Sequence, residues 1–281
     1  MSRRFLTFAC AGETLVGSLD PAPGRTGLLI VSGGNELRAG PWGSQVQIAE
    51  KAALAGFPAF RFDRRGVGDS SGENAGFTAA APDIAAAIAA FRAHVPTLKR
   101  IVAFGNCDAA SALMLAGGAG LDALVLANPW TFEPEPEAGP AEEAGEAEPA
   151  PTPMPPSVLR RHYLKRLTDP RALWRLLTGQ VEVRRMAASL AQAAKADAPP
   201  GPLVQQMAQG LGRFAGPVTI LLAENDRTAQ AFLANWDAFL ARWDKGDSLL
   251  RRCPDASHSF AEPQARIWLQ GQILAALRGL D

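Results

Sequence analysis

In Arg100-Ile-Val-Ala-Phe-Gly105-Asn-Cys107-Asp-Ala-Ala-Ser111 an apolar run of strand character passes into small, helix-compatible residues through a turn with a cysteine at its centre. The turn has the form small-x-Cys-x-small. A sharp strand-to-helix bend that lifts one side chain clear of a sheet needs that spacing, because a side chain two positions to either side would collide with the neighbouring strand or helix. Gly105 and Ala109 meet the requirement, and Cys107 then occupies the position of an exposed nucleophile. A cysteine thiol, ordinarily titrating near 8.5, gains thiolate character at a helix N-terminus or beside a histidine, and this bend would supply both. The plainer reading is a buried free cysteine at a strand end.

Outward from this bend, short runs rich in Val, Ile, Leu and Phe alternate with helical stretches. The candidate strands are Arg4 to Ala9, Thr14 to Leu19, Gly27 to Ser32, Phe57 to Phe62, Arg100 to Gly105, Ala123 to Ala127, Val218 to Ala223 and Ser248 to Arg252. The first two form a hairpin about Ala11-Gly12-Glu13, and the others read as crossover units. The pattern predicts an α/β fold, a mostly parallel eight-stranded sheet with helices on both faces. Ile84, Ile88, Phe91 and Val95 recur at helical spacing before Pro96. A second helix is expected from about Thr228 to Trp243, with Phe232, Trp236, Phe239 and Leu240 as its apolar stripe.

With 281 residues, 47% of them hydrophobic and 20% charged, the chain can bury a substantial core. Lys plus Arg and Asp plus Glu both number 28, so no net basic field recruits nucleic acid. No apolar run has the length of a spanning helix. Cys10, Cys107 and Cys253 are too few and too scattered for a disulfide framework or a zinc cage, which fits a reducing compartment. Arg3 and Arg4 precede an apolar stretch that Thr7 interrupts, so the start reads as a first strand and the chain as cytoplasmic. No metal or cofactor is implied.

Residues 133–156 break the alternation with seven Glu and eight Pro and almost nothing that could pack. They read as an exposed, extended or disordered loop. Val158 to Met186 follows with eight Arg or Lys among Leu159, Tyr163, Leu164, Leu173 and Trp174, the composition of two basic amphipathic helices divided at Asp169-Pro170. Strand-like sequence resumes at Gly216. Residues 1–130 and 216–281 are therefore expected to form one core domain, and 131–215 an inserted lid, with 133–156 as its flexible loop and 157–215 as its basic helices. That basic face either pairs an anionic group of an acyl substrate or is simply solvated.

Chain order places nucleophile, acid and base in succession in this architecture. Of three histidines, His94 ends a helix before Pro96, and His162 lies in the basic insertion. His258, in Asp255-Ala-Ser-His-Ser-Phe260, follows the last strand and precedes the final helix, where a base belongs. Asp226, in Leu221-Leu-Ala-Glu-Asn-Asp226-Arg-Thr, lies just past a strand on the loop that should approach the second ring nitrogen. It could equally cap the helix that follows, and Glu224 is an alternative acid. Backbone donors for a developing oxyanion are expected from Asp108, next to the nucleophile, and from Gly34 in Ser32-Gly-Gly-Asn35, with Asn35 the alternative. Asp63-Arg-Arg-Gly-Val-Gly-Asp-Ser70 has neither a P-loop lysine nor a dinucleotide fingerprint, and reads as a structural turn.

Gly-x-Cys-x-Ala, the Asp-x-Arg-Gly-x-Gly-x-Ser loop, Glu-Asn-Asp-Arg-Thr and Ala-Ser-His-Ser-Phe, in this order, make the chain resemble an α/β-hydrolase over nearly its whole length. Within that superfamily it is similar to the exosortase A system-associated hydrolases of type 1, cytoplasmic proteins encoded beside a bacterial protein-sorting and exopolysaccharide system. The shared features are Gly33-Gly34 with Arg38-Ala-Gly40, Arg61-Phe-Asp-Arg-Arg-Gly-Val-Gly-Asp-Ser70, Asn106-Cys-Asp-Ala-Ala-Ser111, Leu126-Ala-Asn-Pro-Trp130, Tyr163-Leu-Lys-Arg-Leu and Trp174-Arg-Leu-Leu. The resemblance implies a cysteine nucleophile at Cys107, its acid at Asp226 and its histidine at His258. The chain departs from that family in its Glu/Pro-rich stretch and in Asn35-Glu-Leu. The cysteine bend is also similar to those of dienelactone hydrolases and polyester synthases. These likenesses imply hydrolysis of a small acyl ester or thioester through an acyl-enzyme. The alternatives are transfer of the acyl group to another acceptor and a non-catalytic scaffold that binds a partner.

Overall fold

A computed structural model of the chain describes residues 2–133, 199–240 and 248–281. Strands β1 (Arg4–Cys10) and β2 (Glu13–Asp20) pair antiparallel through a two-residue turn, with Cys10 opposite Glu13. Ala11 at φ 51° and Gly12 at φ 88° give that turn the left-handed backbone that matches strand twist. The remaining strands are β3 (Thr26–Val31), β4 (Ala59–Phe62), β5 (Arg100–Asn106), β6 (Ala123–Ala127), β7 (Val218–Ala223) and β8 (Ser248–Cys253). They form the expected eight-stranded sheet, in the order β1-β2-β4-β3-β5-β6-β7-β8. From β4 to β8 every pairing is parallel.

Among the described residues the α-helices are α1 (Ser44–Leu54), α2 (Ala81–His94), α3 (Asp108–Leu115), α4 (Pro202–Arg213), α5 (Arg227–Ala234) and α6 (Pro263–Arg278). Alternation along each strand separates two apolar layers. Leu29, Val31, Phe60, Phe62 and Ala103 face Ile84, Phe91, Leu113 and Met207 on one side. Leu28, Ile30, Val102 and Phe104 face Ile48, Leu269 and Ile273 on the other. Strands buried on both faces read as unbroken apolar runs, which is why the alternation of strand and helix was legible in the sequence.

β3 lies between β4 and β5. The chain leaves β3 toward one edge of the sheet and returns to build the other, so the loops after β3 and β5 part at their carboxyl ends and leave a crevice. Gly33, Gly34, Asn106 and Cys107 lie at that crevice.

The helix expected from Thr228 to Trp243 is shorter than its apolar stripe implied. α5 ends at Ala234, and a tighter turn, Trp236–Phe239, follows. Asn235 makes the break: its side-chain amide donates to the Ala231 carbonyl at 3.0 Å, and its backbone leaves the helical region. Of the expected insertion, residues 134–198 lie outside the described residues, as does His162. α4, near its end, buries Leu203, Val204, Met207 and Leu211. A β-carbon at Gly210 would strike the Met114 carbonyl, so glycine there lets α4 close on α3. No described helix is long and apolar enough to cross a membrane.

Phe60 holds the first layer together, with ring centroids 5.8 Å from Phe8, 6.5 Å from Phe62 and 5.6 Å from Phe91. Truncating a fully buried Phe costs about 3–5 kcal/mol. Phe60→Ala is expected to lower unfolding free energy by that amount in a denaturant titration. A change under ~1 kcal/mol would show that this layer repacks freely.

Candidate active site

Cys107 sits between β5 and α3 with φ 61° and ψ −128°, a conformation that strains any residue with a β-carbon. Its N–H donates to the Ala127 carbonyl at 2.9 Å, and its own carbonyl accepts from Ala110 at 3.1 Å and Trp130 at 3.3 Å. A β-carbon at Gly105 would lie 2.8 Å from the carbonyl carbon of Ala109 and 2.9 Å from the Ala110 nitrogen. The small residues therefore do what their spacing implied. Cys107 is half-buried, whereas Cys10 and Cys253 are buried. Burial, and then a hydrogen bond to Asp83, push the Cys10 thiol up to about 11, and burial also raises that of Cys253. Neither is poised to react as an anion.

Asp226 Oδ2 lies 3.0 Å from His258 Nδ1. The same carboxylate, nearly fully buried, accepts from the Thr228 and Ala229 N–H groups at 3.2 and 3.1 Å. One carboxylate thus caps α5 and meets the imidazole, and the cap bonds fix its position. Asn106, the residue before Cys107, donates to the His258 carbonyl at 3.3 Å, which ties the histidine loop to the bend. Burial acts most strongly on the ring, to lower its pKa. The hydrogen bonds to Asp226 and Cys107, with the negative charge of both, outweigh it and push His258 up to about 10. Glu224 is exposed, with its N–H bonded to the Cys253 carbonyl. His94 is exposed at the end of α2.

The loop after β3 holds a feature that sequence reasoning missed. Gly34 N–H points at the carboxylate of Asp108, 2.8 Å from Oδ1 and 2.7 Å from Oδ2. Gly33 makes room for it, because a β-carbon there would meet Asp108 Oδ1. Arg64, 3% exposed, donates to the Gly34 carbonyl and lies 3.9 Å from Asp108 Oδ2. Burial, and then the charge of Asp108, raise the pKa of Glu36, against a smaller pull from His258. Asn35 Oδ1 accepts from Asn74 at 2.7 Å. The glycine-rich turn supports this loop through buried Asp63, which accepts from Arg38 N–H at 2.6 Å and Asp69 N–H at 3.2 Å. As first residue of α3, Asp108 leaves its own N–H without an acceptor in the helix.

A family model described as the alpha/beta hydrolase family matches residues 28–267. The chain belongs to that family. Curated proteins offer no match to it. Among solved structures, this hydrolase is similar to DcsB in complex with its substrate analogue, at TM-score 0.63 and 14% identity, covering 99% of each chain. It is similar to the Pyrococcus furiosus esterase Pf2001, at TM-score 0.61 and 13% identity over 99% of this chain and 92% of the other. It is also similar to a dienelactone hydrolase from Anabaena variabilis, at TM-score 0.60 and 14% identity over 97% and 94%. At such identities the likeness is one of fold.

The raised basicity of His258 carries a pH signature. A group whose folded pKa exceeds its unfolded value binds more protons when folded, so its stabilisation is complete below the unfolded pKa of about 6.5 and is lost as pH rises toward about 10. The Tm advantage of the wild type over His258→Gln is expected to be constant below that window and to shrink through it. A gap that widens with pH would mean the imidazole is held neutral.

Proposed function

We propose that this alpha/beta hydrolase cleaves an ester or thioester with Cys107 as nucleophile, His258 as acid and base, and Asp226 orienting the ring. The observation that carries this reading is the buried Asp226 carboxylate 3.0 Å from His258 Nδ1, on a loop whose carbonyl is bonded by Asn106, the residue before Cys107. The proton of the Cys107 thiol passes to His258, and the sulfur then attacks the carbonyl carbon. The tetrahedral intermediate collapses by breaking the bond to the alcohol or thiol, which leaves with that proton. Water then adds to the acyl-thioester, its proton going to His258. Sulfur departs, takes the proton back, and the acid is released. Every atom is supplied by substrate, water and the three side chains.

The oxyanion is assigned to the N–H groups of Asp108 and Gly34. Asp108's carboxylate already holds the second, so the acyl oxygen must displace it, and Arg64 stands beside the displaced charge. Residues 131–215 are assigned as the cover of the site. They leave from the carboxyl end of β6, the neighbour of β5 in parallel, which is the edge that carries Cys107. α4, packed on α3, would anchor that cover. The motifs shared with the exosortase A system-associated hydrolases support a cytoplasmic setting beside such a system, and the basic character of residues 158–186 suits an anionic acyl substrate.

Cys107→Ala is expected to lower kcat/KM on a panel of nitrophenyl esters and acyl thioesters about a thousandfold or more, with mass spectrometry trapping an acyl adduct on wild-type Cys107. Retained turnover of a substrate the wild type accepts would end the proposal. Asp108→Ala keeps the backbone donor and removes the competing carboxylate. Small neutral esters are expected to turn over severalfold faster, and a slower variant would assign that carboxylate a supporting role instead.

A further inference from the structure

We infer that Asn128 is the positioning residue that sets the approach of the imidazole to Cys107. The inference rests on the triad proposed above. Asn128 directly follows β6, is fully buried, and holds φ 42°, a left-handed conformation that Asn tolerates better than most residues. Its N–H donates to the Leu221 carbonyl at 2.9 Å. Its side-chain amide is bonded at both ends. Oδ1 accepts from the Ala223 N–H at 2.8 Å, and Nδ2 donates to the His258 carbonyl at 3.0 Å and to Asn106 Oδ1 at 3.2 Å.

These partners belong to the three segments that carry the proposed chemistry. Ala223 ends β7, three residues before Asp226. Asn106 immediately precedes Cys107. The third partner is the backbone of His258 itself. Asn106 adds its own bond to the His258 carbonyl at 3.3 Å, so two amides grip the peptide that carries the ring. The residues flanking Asn128 reinforce the link, since the Ala127 carbonyl and, two positions on, the Trp130 N–H bond the backbone of Cys107 on either side. One planar group with a donor end and an acceptor end thus sets strand β7, the bend and the histidine loop at fixed separations. Along the chain those partners, Asn106, Ala223 and His258, lie 22, 95 and 130 residues from Asn128.

No other side chain of this size makes all three contacts. Asp keeps the shape and the acceptor for Ala223, but sets an oxygen against the His258 carbonyl and Asn106 Oδ1. Ala leaves the buried Ala223 N–H without a partner. In either case the ring loses one of its two backbone anchors while Asp226 and Cys107 remain chemically intact.

Iodoacetamide alkylation of Cys107, followed across pH, tests this separately from the triad. In the wild type the thiol is expected to react well below the ordinary thiol range near 8.5, and His258→Ala should abolish that reactivity. In Asn128→Asp and Asn128→Ala the alkylation profile is expected to move toward the ordinary range. kcat should fall about 10- to 100-fold with KM little changed, as for a misplaced catalytic group. A merely structural Asn128 would lower Tm and leave the alkylation profile in place, and folded variants with that behaviour overturn the inference alone. A wild type without the His258-dependent reactivity overturns the triad, and the inference with it. Should both variants fail to fold, Asn106→Ala removes the partner amide, and the same displacement of the profile, in smaller degree, is then required.

Discussion

The backbone of Cys107 is held where a β-carbon does not belong, and the neighbouring strand is what holds it. A left-handed non-glycine residue costs on the order of 1–3 kcal/mol. Against this stand the bond from Cys107 N–H to the Ala127 carbonyl and the bonds that the Cys107 carbonyl receives from Ala110 and Trp130. At about 1 kcal/mol net for each hydrogen bond, the three offset the strain. The bend therefore depends on β6 lying beside β5, which in turn depends on both faces of the sheet being covered. A side chain at Gly105 would undo the local solution without touching the global one.

The electrostatics of the site follow from the same geometry. Asp226 is fixed by the amides of α5 before it meets His258, so little freedom is left for the ring bond to consume. Burial alone would keep the imidazole neutral, but the carboxylate and the sulfur on its two sides reverse that sign. On the far side of Cys107, Asp108 and Glu36 bring further negative charge, tempered by the buried guanidinium of Arg64. The crevice thus has a proton-holding side at His258 and an anion-handling side at Gly34.

Much of this was legible in the sequence because the signals were local. Apolar runs located the eight strands, with the ends of Ala123–Ala127 and Val218–Ala223 placed to the residue. Gly105 and Ala109 revealed the bend because small residues two positions from its centre are a steric requirement. Chain order then brought Asp226 and His258 to attention, and the structure sets them 3.0 Å apart. The end of α5 was not legible, since the apolar spacing of Phe232, Trp236 and Phe239 continues past the point where Asn235 turns its amide on the helix. Asn128 and the Asp108 carboxylate were hidden for a different reason. Their roles exist only where several strand ends converge, and no spacing along the chain encodes which amide meets which carbonyl. The left-handed backbone at Asn128 leaves at most a faint trace, an Asn-Pro pair at a strand end.

The Asp108 carboxylate also bears on how the proposed site would discriminate states of the substrate. An ester carbonyl is neutral and a weak competitor for an N–H already held by two carboxylate oxygens. A tetrahedral oxyanion carries full charge and is a much stronger one. An N–H guarded in this way is released to the intermediate rather than to the bound ester, so the bond to Asp108 is given up only as the oxyanion forms and subtracts from the differential binding that accelerates chemistry. The guard also opposes the reaction, because two anions share a small volume until the carboxylate turns away. Arg64, buried 3.9 Å from Asp108 Oδ2, is placed to take up that charge. The balance between guard and escape is set by Gly33, whose missing side chain is the space in which the carboxylate sits.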